Sequence, residues 1–371
     1  MNLSEKFENR SNTKILSLDG GGLRGILTLG ILEKLEDQLD TRLGSYFDII
    51  GGTSTGSIIA SGLATGKSVS DMITMYKTLG KDIFGKSKIG MWTRGWTNFR
   101  AVYRENYSSK KLEHNLRKKD AFSNITLGDQ NEIRCGLVIN SKRADTYSLW
   151  SVANHPEGKY YEANKDLKLW QLCKASSSAP YFFKPTQLVV KSREGDLIPT
   201  AFIDGGVSLA NNPAWQLFLV ATNPSYGFKR AFGEDNMHIV SIGTGKGRKR
   251  EDPKTLLKKR AIAWASSIPD LFMTDALEMN AIIMNAFGKN LGDKPFIDSQ
   301  FKAMDDVKYL EKKLFSFERY DVKFTKESLK ELGFDLSDKK IESLRQMDHV
   351  ENIDLLLEVG RAYSEKLTFK V

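Results

Sequence analysis

Six consecutive residues, Gly51-Gly52-Thr53-Ser54-Thr55-Gly56, carry the pattern G-x-S-x-G around Ser54. They follow the apolar run Tyr46-Phe47-Asp48-Ile49-Ile50 and precede the small-residue stretch Ser57 to Ala64, an order that predicts strand, sharp turn and helix. The glycines are needed because a Cβ beside such a turn would clash with neighbouring backbone. The turn presents one serine oxygen at the positive end of a helix, where negative charge developing on a substrate is stabilised. The chemistry to which these residues point is nucleophilic attack by a serine hydroxyl.

A hydroxyl becomes a useful nucleophile when a base takes its proton. The chain has four histidines. His114 falls in the charged helix at 110–119, His155 in a loop beside Pro156, and His349 in the polar C-terminal region. His238 opens a strand, which puts it at the edge of a parallel sheet opposite the reactive one. A Ser-His-Asp triad is therefore poorly supported. Asp204 is the better base. It closes the short apolar strand Ala201-Phe202-Ile203 and precedes Gly205-Gly206. Reactive groups collect at the carboxyl ends of parallel strands, and a carboxylate bonded directly to Ser54 can serve as its base. Asp-Gly is also a common turn pair, but the company of Ser54 and an early glycine loop favours the catalytic role.

That loop is Asp19-Gly20-Gly21-Gly22-Leu23-Arg24-Gly25. Consecutive glycines between a strand and a helix leave backbone N–H groups free to point at an anion. Gly20, Gly21 and Gly22 are the candidate oxyanion donors, and Thr55, the residue after the serine, joins them. Arg24 either neutralises charge beside the loop or pairs with an acid on the surface. Gly20-x-Gly22-x-x-Gly25 also matches the dinucleotide fingerprint, which requires an acidic residue closing the second strand. Here Gly51-Gly52-Thr53-Ser54 stands in that place and Asp48 falls inside the strand. A phosphate-binding P-loop fits less well, since no Gly-Lys-Ser/Thr follows the glycines.

The elements that must position these groups are a β-loop-α-β-turn-α series over the first 65 residues: a strand at 14–18, a helix at 26–39, the serine strand and its helix. This is how a parallel sheet covered by helices begins. Further strands are expected at 133–140, 146–152, 187–191, 201–203 and 238–242, and helices at 167–176 and 213–221. Residues 84–107 combine Trp92, Trp96, Phe99, Tyr103 and Tyr107 with Lys86, Lys88, Arg94, Arg100 and Arg104. Such a segment suits either the headgroup layer of an anionic membrane or a cap over the sheet. After Gly245 the composition changes. Lys246 to Arg260 is basic, 261–290 is apolar with Met273, Met279 and Met284, and the remainder is Lys/Glu-rich and helical, with no strand signal of comparable strength. The methionines suit an acyl-chain lining or plain core packing.

The 371 residues are 40% hydrophobic and 27% charged, which suits a packed core. Two distant cysteines, Cys135 and Cys173, point to a reducing compartment. No apolar leader opens the chain and no run nears 18 uninterrupted apolar residues. The expectation is a cytoplasmic protein that touches membranes transiently. The net charge of +9 suits anionic surfaces or nucleotides, or serves solubility alone.

Taken together, Asp19-Gly-Gly-Gly-Leu-Arg-Gly25, Gly52-Thr-Ser-Thr-Gly56, Ala175-Ser-Ser-Ser-Ala-Pro180 and Asp204-Gly-Gly206 resemble, in content and order, the patatin-like phospholipases. The four blocks span about 14–245. The resemblance implies a three-layer α/β/α sandwich with a mostly parallel central sheet. It implies a serine–aspartate dyad that hydrolyses lipid acyl esters without calcium, metal or other cofactor. Ser54 matches the nucleophile, Asp204 the base and Gly20 to Gly22 the oxyanion loop. Arg24, Gly52, Gly56, Gly205 and Gly206 match supporting positions. The partner implied is a membrane phospholipid or other acyl lipid. Nucleic acid is not expected, and oligomeric state is left open. Ser178 departs from the family, which usually has alanine there. Some bacterial proteins resembling this one are switched on by cyclic nucleotides, so a cyclic-nucleotide activator, or a nucleotide-binding role for the same sheet, is the alternative. The domain expectation is an arm at 1–13, a catalytic domain at 14–245 and a helical extension at 246–371 packed on or completing it.

Overall fold

The computed structural model describes residues 7–8, 11–85, 107–180, 182–192, 195–247, 252–292 and 309–370. Most of the aromatic and basic segment at 84–107, Trp92, Trp96, Phe99 and Tyr103 included, lies outside them, as do parts of the N-terminal arm and of the basic run.

The strands are β1 (Thr13–Leu18), β2 (Ile49–Thr53), β3 (Gly136–Arg143), β4 (Leu149–Ala153), β5 (Thr186–Lys191), β6 (Leu197–Asp204), β7 (Met237–Ile242), β8 (Lys289–Asn290) and β9 (Ser316–Tyr320). They form one sheet in the order β5-β6-β3-β2-β1-β7-β9-β8, with β4 also paired to β3. The pairs β1–β2, β1–β7, β2–β3, β7–β9 and β8–β9 are parallel. Alternation along the strands sends side chains to two faces. Leu16, Leu18, Ile50, Leu137, Ile139, Val240 and Ile242 belong to one buried cluster. It is completed by α1 (Gly25–Leu39), α2 (Thr55–Ala64), α3 (Val69–Phe84), α4 (Ser109–Leu116) and α5 (Leu169–Ser176). Ile15, Ile49, Val138, Ile239 and Phe317 point the other way, toward α6 (Ala214–Thr222) and Met284 of α7 (Ala261–Phe287). The architecture is a three-layer α/β/α sandwich on a mostly parallel sheet.

Three sequence expectations need correction. The serine strand runs Ile49–Thr53, not 46–50, and Leu43–Tyr46 is a helical turn. Asp48 therefore precedes the strand, at the amino edge, where its Oδ2 accepts from the Lys14 N–H at 2.8 Å. Second, Asp204 does not end a parallel strand. β6 is antiparallel to β3, with Asp204 opposite Ser141, one residue beyond the pairing of Asn140 with Thr53. β6 approaches from the carboxyl edge and stops at the level of the serine turn. The carboxylate thus reaches the reactive edge by a route the parallel-strand rule does not describe.

Third, the C-terminal region contributes a strand to the same sheet, between β7 and the short edge strand β8. β9 pairs with β7 in full parallel register. Its sequence reads as polar because Glu318 and Arg319 sit inside it, yet both are paired. Glu318, 1% exposed, accepts from the Lys370 N–H at 3.2 Å and bonds Nε2 of His238 at 3.0 Å. The final helix, α8 (Ile353–Ser364), lies on α1 at close range. A Cβ on Gly360 would stand 2.4 Å from the Leu27 carbonyl oxygen, and one on Gly30 would stand 2.7 Å from that of Leu357. Contacts of this kind exclude side chains. Gly360→Val should force the helices apart and cost about 1–3 kcal/mol in denaturant unfolding. An unchanged midpoint would show that α8 is not packed as described.

Candidate active site

Ser54 sits at the junction of β2 and α2 with φ 54° and ψ −124°, a left-handed conformation that an L-residue adopts only under constraint. The constraint is the closeness of helix to strand. A Cβ on Gly52 would lie 2.1 Å from the Gly56 carbonyl oxygen, and one on Gly56 would lie 2.2 Å from that of Leu18. Both positions must be glycine for the helix to start where it does, and the residue between them turns sharply. Hydrogen bonds hold the turn. The Ser54 N–H donates to Ser176 Oγ at 2.8 Å, and Ser176 Oγ donates to the Asn140 carbonyl at 2.6 Å.

Ser54 Oγ lies 2.6 Å from Asp204 Oδ2. The other carboxylate oxygen, Oδ1, accepts from the Gly206 N–H at 2.6 Å. The Asp204 N–H donates to the Ser178 carbonyl at 3.0 Å. The block 175–180 therefore grips both residues, one through Ser176 Oγ and the other through the Ser178 backbone. Ser178 Oγ turns away, donating to the Lys174 carbonyl at 2.8 Å, so the replacement of the usual alanine leaves this grip intact. Asp204 is 5% exposed and Ser54 8%. The Asp204 carboxyl is pushed up to about 6, because burial raises it by more than the hydrogen bonds from Ser54 and the Gly206 N–H lower it.

The glycine loop lies across from this pair. The Gly20 N–H donates to the Asn211 carbonyl at 3.0 Å, so Gly20 is already committed and is removed from the oxyanion candidates. Gly21 and Gly22 keep N–H groups without a partner among the described residues, and the Thr55 N–H is similarly unpaired at the start of α2. Arg24 does not line the pocket. Its guanidinium donates to the Gly21 carbonyl at 3.4 Å and the Arg345 carbonyl at 3.3 Å, bracing the loop from behind. None of the four histidines lines the pocket around Ser54.

Several residues that the sequence did not single out support the site. The Tyr76 hydroxyl on α3 bonds both the Gly22 carbonyl and Thr55 Oγ1, tying the glycine loop to the start of α2. Its spacing with Met72, Ile73 and Leu79 reads only as a core position. Arg319 of β9 donates to both carboxylate oxygens of Asp19, at 2.8 and 2.6 Å, and to Asp321 at 3.0 Å. The Leu23 N–H donates to the Met347 carbonyl at 2.8 Å. Segments far along the chain thus hold the loop in place, and no local pattern signals them.

The pocket lining combines a polar set of residues with a larger apolar one. Ser54, Thr55, Gly21, Gly22, Asp204 and Asn211 belong to the polar set. Ile58, Leu79, Ile83, Leu112, Phe182 and Phe183 are among the apolar walls. Met273 lines it too, whereas Met284 is in the core and Met279 is 47% exposed. Ser177 Oγ and Asn211 Oδ1 are buried in its lining without a partner among the described residues. Among those residues, no group of three His, Cys, Asp or Glu is placed to hold a metal ion.

Residues 16–218, more than half of the chain, match the sequence profile of the Patatin family, described as patatin-like phospholipase. The chain belongs to the patatin-like phospholipase family. It is 28% identical over 269 residues to Patatin-2-Kuras 2 of Solanum tuberosum, covering 67% of this chain and 64% of that protein. It is 28% identical over 271 residues to Patatin-17 of Solanum cardiophyllum, covering 68% and 65%. The chain thus spans a little under two thirds of these relatives. Among solved structures, VipD from Legionella pneumophila aligns over 94% of this chain and 67% of its own, at 12% identity and a TM-score of 0.34. The type III effector ExoU aligns over 47% and 41%, at 13% identity and a TM-score of 0.23. At those scores neither likeness bears on fold or activity.

The raised Asp204 pKa is also a statement about stability. The folded chain binds this proton more tightly than the unfolded chain, whose carboxyl has the ordinary value of 3.8. The ionised group therefore costs the fold about 3 kcal/mol at neutral pH. That cost is absent below the unfolded value and complete above the folded one. Asp204→Asn should unfold at higher urea than the parent at pH 8 and lose the advantage as pH falls through about 6 toward 4. A constant difference across that range would contradict the burial argument.

Proposed function

We propose that the chain is a lipid acyl hydrolase, of phospholipase A or lysophospholipase type, in which Ser54 is the nucleophile and Asp204 its base. The observation that carries this reading is the 2.6 Å contact between Ser54 Oγ and Asp204 Oδ2 in the lining of a largely apolar pocket. An acyl chain held among Ile83, Phe84, Leu112 and Phe183 brings its ester carbonyl down to Ser54. Asp204 takes the Ser54 proton as the oxygen attacks, and the tetrahedral oxyanion rests on the N–H groups of Gly21, Gly22 and Thr55. Each such donor is worth about 3 kcal/mol in the transition state.

Collapse of the intermediate breaks the ester bond, and Asp204 returns the proton to the departing alkoxide. Asp204 then takes a proton from a water that attacks the acyl-enzyme; collapse breaks the bond between Ser54 Oγ and the acyl carbon, Asp204 returns the proton to Ser54 Oγ, and the fatty acid leaves. A carboxyl raised to about 6 is ionised at neutral pH yet basic enough to share in the transfer. The positive end of α2 favours the oxyanion further. Membrane lipid fits the pocket's apolar lining better than a small polar ester does.

The test uses a soluble short-chain fluorogenic ester, so that membrane access does not limit the rate. Ser54→Ala and Asp204→Asn should each lower kcat/KM by about a thousandfold or more. For the parent, kcat/KM should fall about tenfold per pH unit below about 6, because protonated Asp204 cannot accept the serine proton. Turnover that survives Ser54→Ala would overturn the proposal. A flat profile between pH 7 and 5 would remove Asp204 as the base.

A further inference from the structure

The helix α7 has an outer face that the core does not use. Ala276, Asn280 and Met284 are buried, and Asn280 donates to the Leu209 carbonyl at 2.6 Å. On the opposite side Trp264, Ile268, Leu271, Phe272 and Met279 are 41%, 44%, 50%, 63% and 47% exposed. Spacings of four, three, one and seven place them along one side of the helix, where Asp275 is also exposed and Asp270 and Glu278 stand in the same span. Leu257, in the helical turn Pro253–Leu257 just before, is 88% exposed. Large apolar side chains exposed in such number on one helix are uncommon in a protein that stays in water alone.

Cations gather at the N-terminal end of α7, beside the exposed Asp252. Lys254, Lys258 and Arg260 are exposed beside Leu257. The Lys259 ammonium lies 4.8 Å from the centre of the Trp264 ring. An indole flanked by cations, at the edge of an apolar stripe, matches the layering of an anionic bilayer: phosphates outside, hydrocarbon within. The inner side of the same helix reaches the pocket. Met273, next to Phe272, lines the pocket that holds Ser54. Leu209, 65% exposed, lies two residues beyond Val207 of the same lining.

We propose that the outer face of α7, with the basic turn before it, seats this protein on an anionic lipid bilayer beside the mouth of its pocket. The inference rests on the lipid acyl hydrolase reading for its substrate and deepens it by naming the docking surface. Cations hold the headgroup phosphates and the apolar stripe enters the acyl layer, while Met273 on the inner side of the same helix lines the pocket of Ser54. Attraction to the phosphates weakens with salt, and burial of the stripe does not.

The full chain carrying Ser54→Ala, which leaves the vesicles chemically intact, would be sedimented with vesicles of phosphatidylcholine alone or mixed with phosphatidylglycerol. Binding to the mixed vesicles should fall at least about tenfold with Leu271→Ser plus Phe272→Ser. Lys254→Glu plus Lys258→Glu should lower binding to the mixed vesicles and leave binding to pure phosphatidylcholine unchanged. The same surface changes with Ser54 intact should keep hydrolysis of the soluble short-chain ester. Binding as strong as the parent's in the Leu271/Phe272 variant would overturn the proposal. So would a dimer by light scattering that this variant converts to monomer while no vesicle is bound, which would make the face a contact between copies. Vesicle binding that depends on α7 in a chain without esterase activity would uphold the docking surface and sink the hydrolase reading.

Discussion

The first turn of α2 lies against β2 and the end of β1 with no room for a methyl group at Gly52 or Gly56. The rest of the site follows from this closeness. The chain must reverse within one residue, and Ser54 takes a backbone conformation that costs about 1–3 kcal/mol. Its hydroxyl is then carried at the junction of β2 and α2, on buried backbone of the sheet. In the proposed role Ser54 would need little reorganisation to react, and the strain is sustained by the packed layers on both sides of the sheet.

Burial sets the second half of the chemistry. The same layers that fix Ser54 take Asp204 out of water, and a desolvated carboxylate is a stronger base than an exposed one. Its two oxygens are divided between the Ser54 hydroxyl and the Gly206 N–H. The glycine loop is held from the far end of the chain. Arg319 clamps Asp19 at the head of the loop, and the Met347 carbonyl accepts from the Leu23 N–H within it. The family match ends at residue 218, yet residues beyond 300 hold the loop on which an oxyanion would rest. The C-terminal region therefore belongs to the site's framework, and losing the Arg319 partner would leave two buried carboxylates without their cation.

What the sequence revealed depends on how local each signal is. The serine turn, the glycine loop and the Asp-Gly-Gly step are encoded by adjacent residues whose backbone demands are severe, so they could be read directly. Asp204 was found with a reason only partly right, because strand direction is a property of the whole sheet and β6 reverses it. Gly20 was grouped with its neighbours because sequence cannot tell which N–H is already bonded, and the Asn211 carbonyl decides that. β9 escaped notice because Glu318 and Arg319 look like surface residues until their buried partners, His238 and Asp19, are in view. Tyr76 was hidden in a helical stripe of core residues, where its hydroxyl gives no sign of the two bonds it makes.

The central claim is that Ser54 is the atom-level nucleophile and that Asp204 drives it. A fluorophosphonate bearing a long alkyl chain tests this directly, since it reacts only with an activated serine and leaves a permanent adduct. Peptide mass spectrometry of the treated protein should place one adduct on Ser54. Labelling should slow by orders of magnitude in Asp204→Asn and slow in the parent as pH falls below about 6. An adduct on another serine, or labelling of Ser54 at equal rate with and without the Asp204 carboxylate, would contradict the account.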